Sequence, residues 1–258
     1  MRKWLWIILL CLPAYGYSWG MLGHRIVGEI ASKHISSKAR HNIQKILGNE
    51  SIAMCANWPD FIKSDTTFKY LSPWHYKNYS GGLSHATFLS DTQTDTTVSA
   101  YTQLNFLIVE LKKKELPKEL KVRYLKLLIH IVGDIHQPLH LGRYEDLGGN
   151  RIRVMWFKDN VNLHQVWDDR IIDYQQLSYT EYAQWINFST AKERKLWQRQ
   201  PISEWMYESY VIAEKIYGEI QPDAKLGYRY NFDYIETVNS RLLKGGLRLA
   251  ELLNDIFG

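Results

Sequence analysis

His130-Ile131-Val132-Gly133-Asp134-Ile135-His136-Gln137-Pro138-Leu139-His140 is the stretch on which the rest of this chain turns. It closes an apolar run from about Lys118, in which Leu125, Leu128, Ile129 and Val132 recur at helical spacing. His130 and Asp134 are one helical turn apart, so a single face carries both, with Cβ atoms roughly 5–6 Å from each other. Pro138 cannot continue the helix, which lets His140 turn back toward the same end. Imidazole, carboxylate and imidazole converging on one helix end is the donor set of a zinc site. The competing reading is a buried polar cluster satisfied by backbone hydrogen bonds.

The 258 residues, 45% of them hydrophobic, suit one sizeable domain. The first eighteen read as a separate secretory signal. Met1-Arg2-Lys3 is a basic start, Trp4 to Pro13 is apolar, and Gly16-Tyr17-Ser18 offers small residues at the cleavage positions. Export by cleavage leaves 19–258 as the mature domain, beginning at Trp19, with no membrane anchor. Losing Arg2 and Lys3 lowers the formal charge from +5 to +3, too mild a basicity to imply nucleic-acid binding by itself. Of the two cysteines only Cys55 survives, so no intramolecular disulfide is expected.

Outward from the central stretch, the pattern is mainly helical. An apolar stripe runs through Ile26, Val27, Ile30 and Ala31, and Ser36-Ser37 can cap a second helix that Gly48 stops. Asn57-Trp58-Pro59-Asp60 reads as a sharp turn, 71–79 as an extended aromatic segment and 80–96 as loop. Helices are expected over 99–116, from Pro117 onward, and over 162–175, 178–188, 202–221 and 234–257. A loop occupies 143–150, and a short strand 152–157. The fold class is mainly α, one domain, with a short β element.

His164-x3-Asp168 repeats the spacing of His130 and Asp134. Two such pairs, with His24, Asp60, His75 and His140 at element ends, outweigh coincidence. His34, His41 and His85 read as surface or loop residues, and His136 as structural.

In this order, Trp19, His24, Trp58-Pro59-Asp60, His75, His130-x3-Asp134, Gln137-Pro138-Leu139-His140 and His164-x3-Asp168 resemble the S1/P1 nuclease family of zinc-dependent single-strand nucleases and 3′-nucleotidases. The resemblance implies three zinc ions. Asp60, His75, His130 and Asp134 would hold the first, and His140, His164 and Asp168 the second. Trp19, through its amino group and carbonyl oxygen, would hold the third with His24 and a bridging Asp134. An α-amine titrates near ~7.7–8.0, so a metal displaces its proton at modest cost. Clustered zinc lowers the pKa of water toward ~7, and hydrolysis then needs no side-chain base.

The resemblance also implies that Lys63 stands where fungal members carry a phosphate-binding arginine, so that Lys63 and Asp134 are the catalytic candidates. A lysine brings the charge without the two-pronged guanidinium. Tyr76 falls at the base-stacking position and Asn78 at the base-edge position, while Asn150, after Gly148-Gly149, lies near the cleft. The implied partners are single-stranded DNA and RNA and 3′-nucleotides, acted on by a monomer. Asn49, Asn78 and Asn187 each begin an N-x-[ST] sequon, and a glycan on Asn78 would obstruct the base site. Two other functions fit part of the pattern. One is a zinc phospholipase C, whose last ligand is typically Glu where this chain has Asp168. The other is an exported zinc-binding protein without turnover.

Overall fold

A computed structural model describes residues 19–258, so the proposed signal segment lies outside the described residues. The chain begins with α1 (Met21–His34), α2 (Ser37–Leu47), α3 (Ile52–Cys55) and α4 (Trp58–Phe61). Ser36 caps α2 by accepting the Ala39 amide, and Gly48 ends it with φ +68°, a backbone that favours glycine. The expected turn at 57–60 is itself helical, because Pro59 falls in the first turn of α4, where its missing N–H costs nothing.

Two further local expectations fail. Within 71–79 only the part from Tyr76 is extended, and Thr66–His75 is a 3-10 helix. Leu71 and Trp74, three residues apart, share its buried side, a period that reads as neither strand nor α-helix. The polar segment 80–96 contains α5 (His85–Gln93), capped by Ser84 and anchored by buried Phe88 and Thr92, four apart. α6 (Ala100–Leu111) is shorter than expected, and α7 (Lys118–Asp134) follows Pro117 as anticipated.

β1 (Arg153–Trp156) and β2 (Asp159–Asn162) pair antiparallel, with Val154 opposite Val161. The helix expected over 162–175 is present but widened in the middle. It runs as α8 (Leu163–Gln165), a π-helical turn over Val166–Arg170 and α9 (Ile171–Asp173). α10 (Tyr179–Ile186), α11 (Ala191–Arg199) and α12 (Ile202–Glu219) follow. β3 (Lys225–Leu226) joins β1 in parallel, giving the order β2-β1-β3. α13 (Tyr228–Phe257) closes the chain and starts six residues earlier than the pattern indicated. α11, β2 and β3 have no counterpart in the sequence reading.

One continuous core joins these elements. α1 lies against α3, α10 and α13, and α6 against α7, so the His130 end of α7 is enclosed from several sides. Leu125, Leu128, Ile129, Ile131 and Val132 are fully or almost fully buried. Burying such a side chain contributes ~1.5–3 kcal/mol, enough in sum to hold several ionisable groups away from water. No described helix is long and apolar enough to cross a membrane.

Candidate metal centre

The last turn of α7 brings His130 Nε2 to 3.2 Å from Asp134 Oδ2, the i, i+4 geometry read from the sequence. Between them, Gly133 leaves room for a third side chain. The His24 ring from α1 lies so close that a Cβ on Gly133 would sit 2.7 Å from its Nδ1. His24 stacks on His130 with centroids 3.8 Å apart, and its Nε2 is 3.4 Å from Asp134 Oδ1. His75, at the end of the 3-10 helix, brings Nδ1 to 2.9 Å from Asp134 Oδ2. Asp60 Oδ1 is 3.6 Å from His130 Nε2. The two Asp134 oxygens therefore face different imidazoles.

A second assembly forms beside the first. His140 Nε2 lies 3.7 Å from Asp168 Oδ1, and His164 Nε2 lies 3.3 Å from Asp168 Oδ2. His140 Nδ1 is also 3.5 Å from Asp134 Oδ1. Among the described residues, three groups place their ligand atoms within 4.8 Å of one another. They are His24, Asp60 and His130; His75, His130 and Asp134; and His140, His164 and Asp168.

Backbone carbonyls set the ring orientations. His130 Nδ1 donates to Ala56 O at 2.7 Å, His140 Nδ1 to His75 O at 2.7 Å and His164 Nδ1 to Gly148 O at 2.6 Å. A carbonyl only accepts, so these Nδ1 atoms carry a proton and each Nε2 is the ring atom left on the carboxylate side, where a cation could bind it. Gly148 supplies its carbonyl from a left-handed turn (φ +66°), in which a Cβ would meet Leu139 O at 2.3 Å. Gln137 holds the other partner: its Nε2 donates to Asp168 Oδ1 at 2.6 Å while its Oε1 accepts the Leu139 amide.

The electrostatics suit a cation. Burial, aided by His130, holds His24 down at about 4, and burial likewise holds His75 at about 4 against the pull of Asp134. Both are neutral near pH 7 and able to donate a lone pair. Burial would lower His130 as well, but Asp134 and Asp60 outweigh it and raise that imidazole. Burial would raise Asp134, yet His130, His140 and His75 hold it well below the ordinary range. Asp168 is pushed up to about 7 by burial, despite His164 and Gln137. Buried Asp134 Oδ1, His140 Nε2 and Asp168 Oδ2 make no hydrogen bond among the described residues. Buried acceptors left in that state cost ~1–3 kcal/mol each. Nitrogen and carboxylate donors without thiolate fit a borderline divalent cation.

Trp19 is fully buried next to this centre, and the following amide, Gly20 N, donates to Asp168 O at 2.7 Å. A cleft of about 640 Å³ opens over the assembly, lined by His75, His140 and His164. Lys63, Tyr76, Asn78 and Asn150 line the same cleft. Lys63 Nζ lies 2.5 Å from Asp60 Oδ1. Tyr76 is 41% exposed, which leaves part of its ring open to the cleft. The strand-like segment bearing Tyr76 and Asn78 is fixed by Lys77 N to His140 O at 3.0 Å and Tyr79 N to Gly142 O at 2.8 Å. Asn150 spends its amide on Leu147 O at 2.9 Å, closing its own loop.

Histidines outside the groups behave mostly as expected. His136 is structural: its Nδ1 donates to Val132 O and its Nε2 accepts from Arg248. His41 and His85 are exposed, whereas His34 is half-buried against Asn187 Oδ1, not on a free surface. Cys55 is a free buried thiol, pushed up to about 12 by burial and by Glu50. In the sequence Gln137 enters as the first residue of the Gln137-Pro138-Leu139-His140 match, with no role of its own. Nothing in the local pattern signals that it reaches Asp168, 31 positions away.

Known proteins share this arrangement of sequence. The family described as S1/P1 Nuclease matches residues 19–258. Endonuclease 3 of Arabidopsis thaliana is 30% identical over 283 residues, covering 100% of this chain and 96% of the relative. Endonuclease 4 of the same plant is 28% identical, with 100% and 96% covered. Nuclease S1 of Aspergillus oryzae is 32% identical over 169 residues, 62% of this chain and 56% of its own length. With its described length matched and its buried histidines and aspartates gathered beneath one cleft, the chain belongs to the S1/P1 nuclease family.

Proposed function

We propose that this nuclease is an exported, monomeric, zinc-dependent enzyme that hydrolyses single-stranded DNA and RNA to 5′-phosphate products and removes the phosphate of 3′-nucleotides. The observation that carries the reading is Asp134, whose two oxygens face His75 and His130 on one side and His24 and His140 on the other. Asp60, His75, His130 and Asp134 would hold one ion; His140, His164 and Asp168 a second; Trp19, His24 and Asp134 a third. When bound, the ions supply Lewis acidity and an acidified water for in-line displacement at phosphorus. The protein's own contribution is positional. Lys63 brings a positive charge to the phosphate beside Asp60. Tyr76 stacks a base without choosing among bases, Asn78 faces the base edge, and Asn150 is a further substrate-binding residue of the same cleft.

Stacking on Tyr76 requires an unstacked base, and a duplex withholds one at a cost of a few kcal/mol. Single strands should therefore be cut ~100-fold faster than duplex, leaving 5′-phosphates. End-labelled digestion, run beside 3′-AMP and phosphatidylcholine hydrolysis, is the direct test. Products ending in 3′-phosphate, or equal rates on duplex and single strand, reject the reading; turnover of phosphatidylcholine alone favours the phospholipase.

Trp19 ties export to activity. In the precursor its nitrogen is an amide with a delocalised lone pair, a poor ligand, so the third ion would be held only after cleavage following Ser18. A form retaining a methionine ahead of Trp19 should fold normally, yet turn over at least ~10-fold more slowly and bind one ion fewer, by analogy with the effects of disturbing ligand support. N-terminal sequencing that finds active enzyme beginning elsewhere than Trp19 would overturn this assignment.

A further inference from the structure

The cleft carries a second cation that the metal centre does not use. Among the described residues no carboxylate lines the cleft, and the formally charged lining side chains, imidazoles apart, are Lys63 and Lys69. Lys63 pairs with Asp60 and is the cation already assigned to the phosphate beside that residue. Lys69 is exposed and makes no ion pair among the described residues. It stands on a 3-10 helix with Thr66 and Ser72, and these residues line the same cleft, as does Ser64 just before that helix. The one acid in this stretch, Asp65, is exposed and accepts the Thr67 amide and hydroxyl on its Oδ1. Arg123, 5.4 Å over the ring of the cleft residue Phe68, adds positive potential.

We propose that residues 64–72 form a subsite for a backbone phosphate of a nucleotide flanking the one cleaved, with Lys69 as its cation. The wall offers neutral donors and one uncommitted charge, the composition that suits a solvated phosphodiester. Lys69 stands six residues before His75 on the same 3-10 helix, roughly 12 Å along its axis at about 2 Å per residue, so its charge would serve a phosphate away from the ligand groups. A 3′-mononucleotide brings no such second phosphate and a polymer does. This subsite therefore favours polymers over mononucleotides. The inference rests on the nuclease reading above and extends it to substrate length.

The test compares wild type, Lys69→Met and Lys69→Arg on a single-stranded oligonucleotide and on 3′-AMP across a salt series. In Lys69→Met the ratio of kcat/KM for oligonucleotide to that for 3′-AMP should fall about 5-fold at low salt, the scale of one exposed charge contact. The log–log salt slope for the oligonucleotide should become shallower by about 0.7, one single-strand phosphate contact. Lys69→Arg should retain both. An unchanged ratio, or equal losses on both substrates with an unchanged slope, overturns the subsite. A wild type inactive on both substrates would instead reject the nuclease reading. In that case anisotropy of a labelled oligonucleotide still decides, because equal Kd values for wild type and Lys69→Met overturn the subsite.

Discussion

Asp134→Asn should lower turnover by more than about 100-fold, the upper end for loss of a residue that merely supports a ligand, and should cost more than Asp168→Asn. Asp134 is wholly buried, with Oδ2 2.9 Å from His75 and 3.2 Å from His130, and Oδ1 3.4 Å from His24. An amide keeps the size but loses the charge and offers only one oxygen. Both assemblies that face Asp134 would lose an anionic donor, whereas the imidazoles beside Asp168 are those of one assembly, His140 and His164. Asp168 also keeps support from Gln137, which an asparagine there could partly retain. Metal content and steady-state kinetics of the two variants decide the order. A milder defect in Asp134→Asn, with full metal content, would mean that it does not bridge.

How far this centre was legible depended on whether its signals were local. The i, i+4 pairs on α7 and at His164/Asp168 follow from helix geometry, as did the Ser36 cap and the Gly48 stop. The 3-10 helix was missed because its buried residues recur every three positions and Pro73 sits inside it. α5 was missed because Gly, Ser and Thr dominate 80–96, although the Ser84 cap was there to be read. α11 even carries a Thr190/Glu193 capping box, but none of its residues is fully buried and its face shows no apolar stripe. Beyond its own local hydrogen bonds, the ligand turn is supported from far along the chain. Arg241 Nε donates to His136 O, Ser209 Oγ to Ile135 O, and Glu208 gathers Arg241, Lys244 and Arg248 from α13. Such partners, many tens of residues away, obey no sequence period. They exist because burying the two arginines requires a carboxylate and carbonyls to receive them.

Removing metal should have the broadest effect of all. On the zinc reading proposed above, free zinc at about 1,000 times its Kd would contribute about 4 kcal/mol of stability per site, and a chain of this size loses ~2–4 °C of melting temperature per kcal/mol. Exhaustive chelation should then abolish turnover and lower Tm by roughly 10 °C or more. The geometry explains why the loss cannot be absorbed elsewhere. Asp134, His130, His140 and Asp168 are almost wholly sealed from water, so solvent cannot replace the ion for them. Asp134 Oδ1, His140 Nε2 and Asp168 Oδ2 would be left as buried polar atoms without hydrogen bonds. Restored zinc should recover activity and Tm together, because ligand binding and folding share the same free energy. Magnesium should not, since it demands a near-octahedral oxygen shell that these imidazoles do not provide. Elemental analysis with calorimetry, before and after chelation, measures all of this. Full activity in chelator at less than one zinc per chain would remove the metal from the reading, and an unchanged Tm would show that these ligands are held by the core alone.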